Sequence, residues 1–429
     1  MTANSAPAGS LTTLDDAMSQ LLKTLSPVSG SEQIAPVAAS GRILALDFMA
    51  PRSVPPWDTS AMDGYAVRVA DLDSAPKPLR LAQRIAAGSV GKPLEPGEVA
   101  RIFTGAPMPP NANAVIMQEN AEQVGDEVII NKAVEVGENL RKAGDDIKCG
   151  QTLFKAGHRC RPQDIGVLCS VGCKSVEVRR KLRVALLATG DELVRPGDEL
   201  GPGQIYNSNA FTLSALLANL SAEVLDMSIV EDSFEATSRA LKQAAQEADC
   251  VISIGGVSVG EEDHVRAALE TLGSLELWKL AIKPGKPFAS GKLFGADHTR
   301  PAVSNAESER TTDTQFFGLP GNPVSAFVTF VLLVRPLLMS MQGCAQPLPR
   351  ALRLSANFEA TASEVRQQYL RVSLASHGDG GVCLQRYRNQ SSGAALSLSE
   401  TDGLAIIPPG VGVTRGDLLD YLPFSELIY

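Results

Sequence analysis

From Lys181 onward the sequence alternates short apolar runs, glycine-rich turns and helical segments, and few folds accommodate that order. The apolar runs span residues 183–188, 251–254, 277–282 and 316–319. Strands that alternate with helices predict a three-layer α/β domain with a mostly parallel sheet. Because the carboxyl ends of parallel strands lie at one edge of a sheet, the turns after these runs predict a single crevice at that edge.

The remainder of the chain predicts three further units. Apolar residues at helical spacing between Leu11 and Leu25 predict a first helix that starts near Thr13. Short β-branched runs then predict a mainly β module, and alternating segments after Pro347 predict a C-terminal β domain. The predicted fold class is α/β multidomain, with an N-terminal helical and extended domain of residues 1–50 and 143–180, an inserted mainly β domain of residues 51–142, the α/β domain of residues 181–345 and a C-terminal β domain of residues 346–429.

Charge and cysteine usage narrow the class of function. The chain has 39 Lys and Arg against 48 Asp and Glu, a net charge of −9, which argues against a protein that coats nucleic acid or an anionic membrane. Seven cysteines without a CxxC pair, and only four His, support neither a disulfide framework nor a zinc site. The N-terminus shows no signal-peptide pattern, so the sequence predicts a cytoplasmic protein without membrane contact.

Glycines and lysines at the predicted crevice indicate an anion site. Glycines in the turn 255–260 allow the backbone to approach a ligand closely. Three lysines, Lys279, Lys283 and Lys286, cluster around the end of the third apolar run. Neighbouring lysines repel one another unless an anion or several carboxylates compensate. A solvated lysine-rich face is the alternative interpretation.

Carboxylates also lie at or just beyond the predicted strand ends: Asp191, Glu192, Asp232 and Asp263. Their oxygens suit Mg²⁺, with waters as further ligands. For Asp232 and Asp263 the alternative role is that of a helix cap. Carboxylates beside lysines suit chemistry at a phosphoanhydride. No Ser/His/Asp or Cys/His arrangement competes, and we interpret His264 as a surface helical residue.

The segment 55–66, PPWDTSAMDGYA, presents four oxygen-bearing side chains between turn-forming residues. A turn whose side chains bind their own backbone is one interpretation. The literal string closely resembles a signature of the molybdopterin molybdenumtransferase family, which includes the E domain of gephyrin. Within a resemblance that covers residues 11–421, the other specific matches are 102–106, 189–193, 255–260 with Asp263, 283–288 and 318–323.

The resemblance implies an elongated, L-shaped subunit of four domains that forms a homodimer. It implies an active site between the α/β domain of one subunit and the inserted β domain and C-terminal domain of the other. The implied reaction inserts molybdate into the dithiolene of adenylylated molybdopterin, with loss of AMP and a requirement for Mg²⁺. The α/β domain would be molybdopterin-binding, and other enzymes of molybdenum cofactor biosynthesis would be its contacts.

The resemblance also assigns roles to individual residues of this sequence. Catalytic roles fall on Asp63, Thr104, Asp146, Glu192, Asp232 and Asp263, the last three as carboxylates that would hold Mg²⁺. Substrate binding falls on Gly255, Gly256, Ser258, Gly260, Lys279, Lys283, Lys286, Pro320, Gly321, Asn322, Arg371, Ser391 and Ser392. Asp63 and Thr104 would reach across the dimer. Molybdate and the phosphates would face Lys279 and Lys283.

Two departures from the family pattern are visible. Asn207 stands where the family often has Asp, and the polar segment 296–314, which we interpret as a flexible insertion, exceeds the expected length. Two other functions use the same fold: adenylylation of molybdopterin or nicotinamide nucleotide salvage, and non-catalytic scaffolding. Asp63 and Thr104 in the β module argue against the first. The intact lysine and acidic positions argue against pure scaffolding.

Overall fold

The α/β domain is built on a six-stranded mixed sheet. The structure, a computed structural model, describes residues 11–72, 77–256, 264–294, 313–376 and 380–428. In spatial order the strands of this sheet are Glu223–Val230, Arg183–Thr189, Cys250–Ile254, Thr314–Leu319, Pro287–Leu293 and Gly273–Lys279. The first four are parallel to one another. The last two pair antiparallel at the other side of the sheet.

Helices cover both faces of this sheet, as the three-layer prediction requires. They are Ser208–Asn219, Phe234–Glu247, His264–Leu272 and a long helix Pro323–Met341, whose middle turn Phe330–Val334 is a π-helix. The strand Arg183–Thr189 shows how two cores arise. Leu186 packs into one apolar cluster and its neighbour Leu187 into the other, because successive side chains of a strand point to opposite faces.

The first helix, Leu14–Thr24, starts as predicted at Thr13, whose hydroxyl accepts a hydrogen bond from the Asp16 backbone N–H at 3.1 Å. Its buried residues Met18 and Leu21 pack into the α/β core. The helix therefore packs against the core of the α/β domain. The exact domain boundaries stay predictions.

A small extended unit connects the α/β domain to the inserted module. Its elements are the strands Ser31–Ile34, Phe48–Met49, Thr152–Phe154 and Val176–Arg179, with the helix Pro162–Ser170. The first strand pairs antiparallel with the last, and the second with the third. Both halves of this unit, before and after the module, thus meet in space.

The inserted module is a six-stranded sheet with two apolar clusters. In spatial order its strands are Ala114–Met117, Gly64–Val67, Glu98–Ile102, Pro78–Ile85, Glu127–Ile130 and Ala121–Val124. A separate short pair, Thr59–Ser60 with Leu140–Arg141, closes its base. Among the described residues, no hydrogen bond or ion pair joins these strands to the α/β sheet.

The C-terminal domain closes into a barrel. Its strands are Leu352–Ala356, Gln367–Ser376, Val382–Arg386, Gly403–Ile407 and Leu418–Pro423, with short helices Leu396–Ser399 and Phe424–Ile428. The ring closes because Gln367–Ser376 pairs with both Val382–Arg386 and Gly403–Ile407. Closure leaves fewer exposed strand edges.

The predicted strand 277–282 is wrong in extent. The sheet strand ends at Lys279, and Ile282–Lys283 instead pairs with Gln367–Ser376 of the barrel. Between them, the Ala281 N–H donates to Thr12 O at 2.7 Å. One apolar run therefore contributes residues to two different sheets. Local periodicity does not reveal this division.

In the part of the chain that the structure describes, one helix is long and apolar enough to cross a membrane. This helix is Pro323–Met341, and 94% of its most apolar window is buried inside the protein. A buried core helix meets the same length and composition test. The feature is therefore weak evidence for a membrane span.

Candidate active site

The carboxyl ends of four neighbouring parallel strands form one edge, and three of these strands correspond to the predicted runs 183–188, 251–254 and 316–319. Thr189 pairs with Val230 and Ile254 with Leu319 at the ends of these strands, so their following loops share that edge. Gly255 and Gly256 follow one of them, with φ of 81° and 64°. A Cβ on Gly256 would lie 2.6 Å from a methyl carbon of Val265. Glycine is required there because both backbone conformation and space exclude a side chain.

Two carboxylates on these loops have no hydrogen-bond or ion-pair partner among the described residues. Glu192 and Asp232 are exposed, and neither carboxylate makes a hydrogen bond or ion pair with another residue that the structure describes. The Glu192 carboxylate folds back over Gly190, where a Cβ would lie 2.5 Å from Oε2. Gly190, with φ of 144°, therefore makes room for the acid next to the strand end.

Magnesium suits these residues by donor type. Mg²⁺ is commonly bound through one or two carboxylates, with substrate phosphates and waters as the other ligands. Glu192 and Asp232 supply two such carboxylates on neighbouring loops. Among the described residues, no three acidic, His or Cys side chains are grouped closely enough to hold a metal. The third predicted ligand, Asp263, lies outside the described residues, as do Ser258 and Gly260.

Three exposed lysines line the loop after the edge strand Gly273–Lys279. The side chains of Lys279, Lys283 and Lys286 make no ion pair with any described residue. The Leu280 N–H donates to Lys286 O at 2.7 Å and closes the loop. Three cations on one short loop leave its positive charge uncompensated, so the loop is suited to an anion.

The turn 320–322 meets the C-terminal barrel within the same chain. The Val324 N–H at the start of the long helix donates to Ser392 O at 3.0 Å, and the Asn209 side chain donates to Gly321 O at 2.6 Å. The C-terminal domain thus contacts this turn of its own chain, and the expectation that the other subunit supplies that domain stays a prediction. The barrel loop with Ser391 and Ser392 lies against the crevice of its own chain.

Arg371 is fully buried, at 0% exposure, beneath this barrel loop. Its guanidinium donates to Asn389 O at 3.1 Å, to Ser391 O at 3.0 Å and to Ser397 Oγ at 3.0 Å. Burial lowers the pKa of Arg371 to about 10. In this arrangement Arg371 holds the loop from within and does not present its charge at the crevice surface.

The predicted residues of the inserted module form a pair of their own. Asp63 Oδ1 accepts hydrogen bonds from the Thr104 N–H at 2.8 Å and from the Thr104 hydroxyl at 3.0 Å. Both residues are exposed. The Thr104 hydrogen bonds, and then the charge of Arg101, lower the pKa of Asp63. Asp63 is therefore an exposed carboxylate in a fixed orientation.

Other polar residues of the segment 55–66 have local structural roles. Asp58 forms an ion pair with Lys142 at 2.9 Å, and the Ser60 hydroxyl donates to Met62 O at 2.5 Å. Asp146 lies where the module returns to the extended unit, and its side chain is exposed. Between described residues, no hydrogen bond joins Asp63 or Asp146 to the α/β crevice of the same chain.

Asn207, the departure from the family pattern, is a helix cap. Its side-chain oxygen accepts from the Ala210 N–H at 3.3 Å at the start of the helix Ser208–Asn219. Asn caps helices about as well as Asp. The missing charge therefore leaves this part of the fold unaffected. The insertion 296–314 lies outside the described residues except for its last two positions.

Sequence reasoning missed one element of the site. Thr12 forms a backbone bridge to the lysine loop, since its N–H donates to Lys279 O at 2.9 Å. The N-terminal segment therefore contacts the same loop as the C-terminal barrel. A backbone contact of this kind leaves no signal in residue type.

Fold and site together define a class: multidomain proteins that combine a three-layer α/β unit, bearing acidic and lysine loops at one edge, with an inserted β module and a C-terminal barrel. Three family models match successive parts of the chain: the MoeA N-terminal region (domain I and II) over residues 12–172, a probable molybdopterin binding domain over residues 185–340, and the MoeA C-terminal region (domain IV) over residues 353–424.

Similar proteins agree with these models. A molybdopterin molybdenumtransferase from Haemophilus influenzae is 41% identical over 420 residues, which is 97% of this chain and 99% of that protein. One from a Nostoc species is 35% identical, over 87% of this chain and 84% of that protein. A crystal structure of a molybdopterin biosynthesis MoeA protein from Pyrococcus horikoshii has a TM-score of 0.79 at 26% identity, over 96% of this chain and 100% of its own.

The chain belongs to the molybdopterin molybdenumtransferase family. This confirms the predicted family, fold class and enzyme class, and with them the predicted place in molybdenum cofactor biosynthesis.

Proposed function

We propose that this protein catalyses the Mg²⁺-dependent insertion of molybdate into adenylylated molybdopterin, with release of AMP. One observation carries the proposal: Glu192 and Asp232, whose carboxylates bind no described residue, lie at the same sheet edge as the loop that bears Lys279, Lys283 and Lys286. A metal site and an oxyanion site along one edge of a sheet suit a reaction at a phosphoanhydride. The name of the similar transferases supports molybdate and molybdopterin as the substrate class.

The coupled reaction balances without an oxidant or a reductant. Condensation of molybdate with two thiols of the dithiolene forms two Mo–S bonds and releases one water. Hydrolysis of the anhydride breaks one P–O bond and consumes one water, so AMP leaves and a phosphate stays on the pterin. Molybdenum stays in its original oxidation state. The protein therefore has to hold and orient reactants, and no covalent nucleophile is needed.

Each group at the crevice has a role in that task. Lys279 and Lys283 bind the molybdate dianion through charge-assisted hydrogen bonds. Glu192 and Asp232 would hold Mg²⁺, which would offset negative charge on the phosphates. The glycines 255 and 256 allow the substrate to approach the backbone closely. Ser391 and Ser392, with Arg371 behind them, close the crevice from the barrel of the same chain.

We further propose that the working protein is a cytoplasmic homodimer with composite sites. Asp63 and Thr104 make no hydrogen bond to the crevice of their own chain within the described residues, although the family pattern places them at the active site. A second subunit brings the inserted module to the crevice in a closed two-fold arrangement. Thr104 and Asp63 then contact the substrate from the partner side.

The proposed role of Lys279 and Lys283 is tested by measuring the rate of AMP release at varied concentrations of molybdate and, separately, of the adenylylated pterin. Lys279→Ala and Lys283→Ala should each raise the molybdate concentration for half-saturation about tenfold, since one charge-assisted hydrogen bond is lost. Saturation by the adenylylated pterin should change less. Lys242→Ala is the matched control, because Lys242 is an exposed lysine on the helix Phe234–Glu247. Unchanged molybdate saturation in both loop variants would refute the assignment.

The proposed reaction itself is tested by incubating purified protein with adenylylated molybdopterin and Mg²⁺, with and without molybdate, and measuring AMP. We expect AMP release that molybdate stimulates. A parallel reaction with ATP and free molybdopterin separates the alternatives, since ATP consumption there indicates an adenylyltransferase. No AMP in either reaction would leave a scaffold as the explanation.

A further inference from the structure

A stack of three side chains borders the Asp63–Thr104 pair on the inserted module. The guanidinium carbon of Arg84 lies 4.5 Å from the centre of the Phe103 ring, and that of Arg101 lies 4.9 Å from the same centre. Cations favour such positions over an aromatic ring. The stack therefore holds two positive charges at one ring, which is covalently next to Thr104.

The two arginines of this stack differ in how their donors are used. Arg101 donates to Gly64 O at 3.2 Å and to the Gln118 side chain at 2.5 Å. Arg84 is exposed, and the N–H groups of its guanidinium make no hydrogen bond or ion pair with any described residue. Stacking orients the planar guanidinium without occupying its donor edge. Arg84 thus presents a fixed set of donors that the protein itself does not use.

The electrostatics of the stack also favour an anionic ligand. Arg101 lies near the carboxylate of Asp63, whose Oδ1 is already bound by Thr104. The positive charge of Arg101 is close enough to Asp63 to lower its pKa. The Arg84 guanidinium makes no ion pair with a described residue, so its positive charge is available to an anion. A phosphate matches both this charge and the fork geometry of a guanidinium.

We propose that Arg84, oriented by Phe103 and Arg101, binds a phosphate of the adenylylated substrate. The inference deepens the proposed function and rests on it: the inserted module reaches a partner crevice and brings a phosphate ligand as well as Asp63 and Thr104. Arg84 contacts the substrate. Phe103 and Arg101 are positioning residues.

Binding measurements on the full-length protein test this without relying on turnover. AMP and free molybdopterin each carry one phosphate, and calorimetric titration with each gives an affinity. Arg84→Gln should weaken binding of one of them about tenfold, as expected for one charge-assisted hydrogen bond. A loss confined to AMP assigns the adenylyl phosphate, and a loss confined to molybdopterin assigns the pterin phosphate. Unchanged affinity for both ligands would overturn the proposal.

Two further variants separate a specific contact from surface charge. Lys92→Gln removes an exposed cation of the same module whose side chain makes no contact with a described polar group, and it should leave both affinities within twofold of the wild type. Equal weakening by Lys92→Gln and Arg84→Gln would contradict a specific site. Arg84→Lys keeps the positive charge but lacks the paired N–H donors of the guanidinium. Its affinity for the ligand should therefore lie between those of Arg84→Gln and the wild type.

The kinetics of AMP release supply a readout that a merely structural role would not move. We expect Arg84→Gln to raise KM for the adenylylated pterin about tenfold and to leave kcat within twofold. If the wild-type protein releases no AMP, the proposed reaction fails, while the titrations still decide whether Arg84 binds phosphate. If the wild type is active and KM is unchanged in Arg84→Gln, this inference fails and the proposed function stands.

Discussion

Thr104 donates two hydrogen bonds to a single oxygen, Oδ1 of Asp63, one from its backbone N–H at 2.8 Å and one from its hydroxyl at 3.0 Å. One oxygen is therefore fixed by Thr104, and the other accepts no hydrogen bond from the part of the chain that the structure describes. This geometry gives an exposed acid a defined direction without burying it.

Thr104→Ala removes one of these bonds, so the pKa of Asp63 should rise towards its ordinary value. Because a lowered folded-state pKa keeps Asp63 ionised to lower pH, the acid limb of the pH–rate profile for AMP release should move to higher pH in the variant. Thr104→Ser is the matched control and should keep the wild-type profile. Stability should change by less than about 0.5 kcal/mol, because both residues are exposed. Coincident profiles for all three proteins would contradict this role of Thr104.

Composite sites make a prediction about mixed dimers. Asp63→Asn and Glu192→Gln should each abolish most activity alone, since each damages both sites of its own homodimer. After subunit exchange, a dimer with one chain of each kind has one intact site. Up to a quarter of the wild-type activity should then return, because half of the dimers are mixed and each has one site. No recovery, with exchange verified by tagged chains, would count against composite sites.

The bridge from Thr12 to the lysine loop predicts a role for the N-terminal segment. Thr12→Pro removes the N–H that donates to Lys279 O at 2.9 Å, and it should loosen the loop that carries Lys279 and Lys283. The molybdate concentration for half-saturation should rise several-fold, with kcat little changed. Thr12→Ala keeps the backbone bond and serves as the control. Equal molybdate saturation in the two variants would exclude this positioning role.

Buried Asp164 predicts a pH dependence of stability. Burial acts to raise its pKa, but hydrogen bonds from Arg161 and His158 outweigh burial and lower the pKa to about 2. A depressed folded-state pKa contributes stability above the unfolded pKa, and this contribution is lost as pH falls from about 4 towards 2. Asp164→Asn should lower the free energy of unfolding by about 3 kcal/mol at neutral pH.

Thermal unfolding of wild type and Asp164→Asn between pH 7 and pH 2.5 checks this dependence. The difference in midpoint temperature between wild type and Asp164→Asn should be constant near neutral pH and should decrease below about pH 4. Asp126→Asn is the control, because Asp126 is exposed and its side chain binds no described residue. A gap that stays constant to the lowest pH would show that the stabilisation does not depend on ionised Asp164.

The sequence predicted the parts of the site that depend on local pattern. Apolar runs that end in glycines located the strand ends near Thr189 and Ile254, because strand periodicity and turn chemistry are local properties. Long-range pairings were not predictable in this way. The contact of Ser392 with Val324, and the burial of Arg371, depend on how the barrel closes and docks. Those contacts use backbone atoms or a cation inside a strand, which residue type does not reveal.

The most direct test of the central claim counts two products in one reaction. Wild-type protein is incubated with adenylylated molybdopterin, Mg²⁺ and limiting molybdate, and AMP and pterin-bound molybdenum are measured in the same samples. Coupled insertion predicts equal amounts of AMP and inserted molybdenum at every time, and loss of both in Glu192→Gln or without Mg²⁺. AMP release that continues at the same rate without molybdate, or molybdenum insertion without AMP, would contradict it.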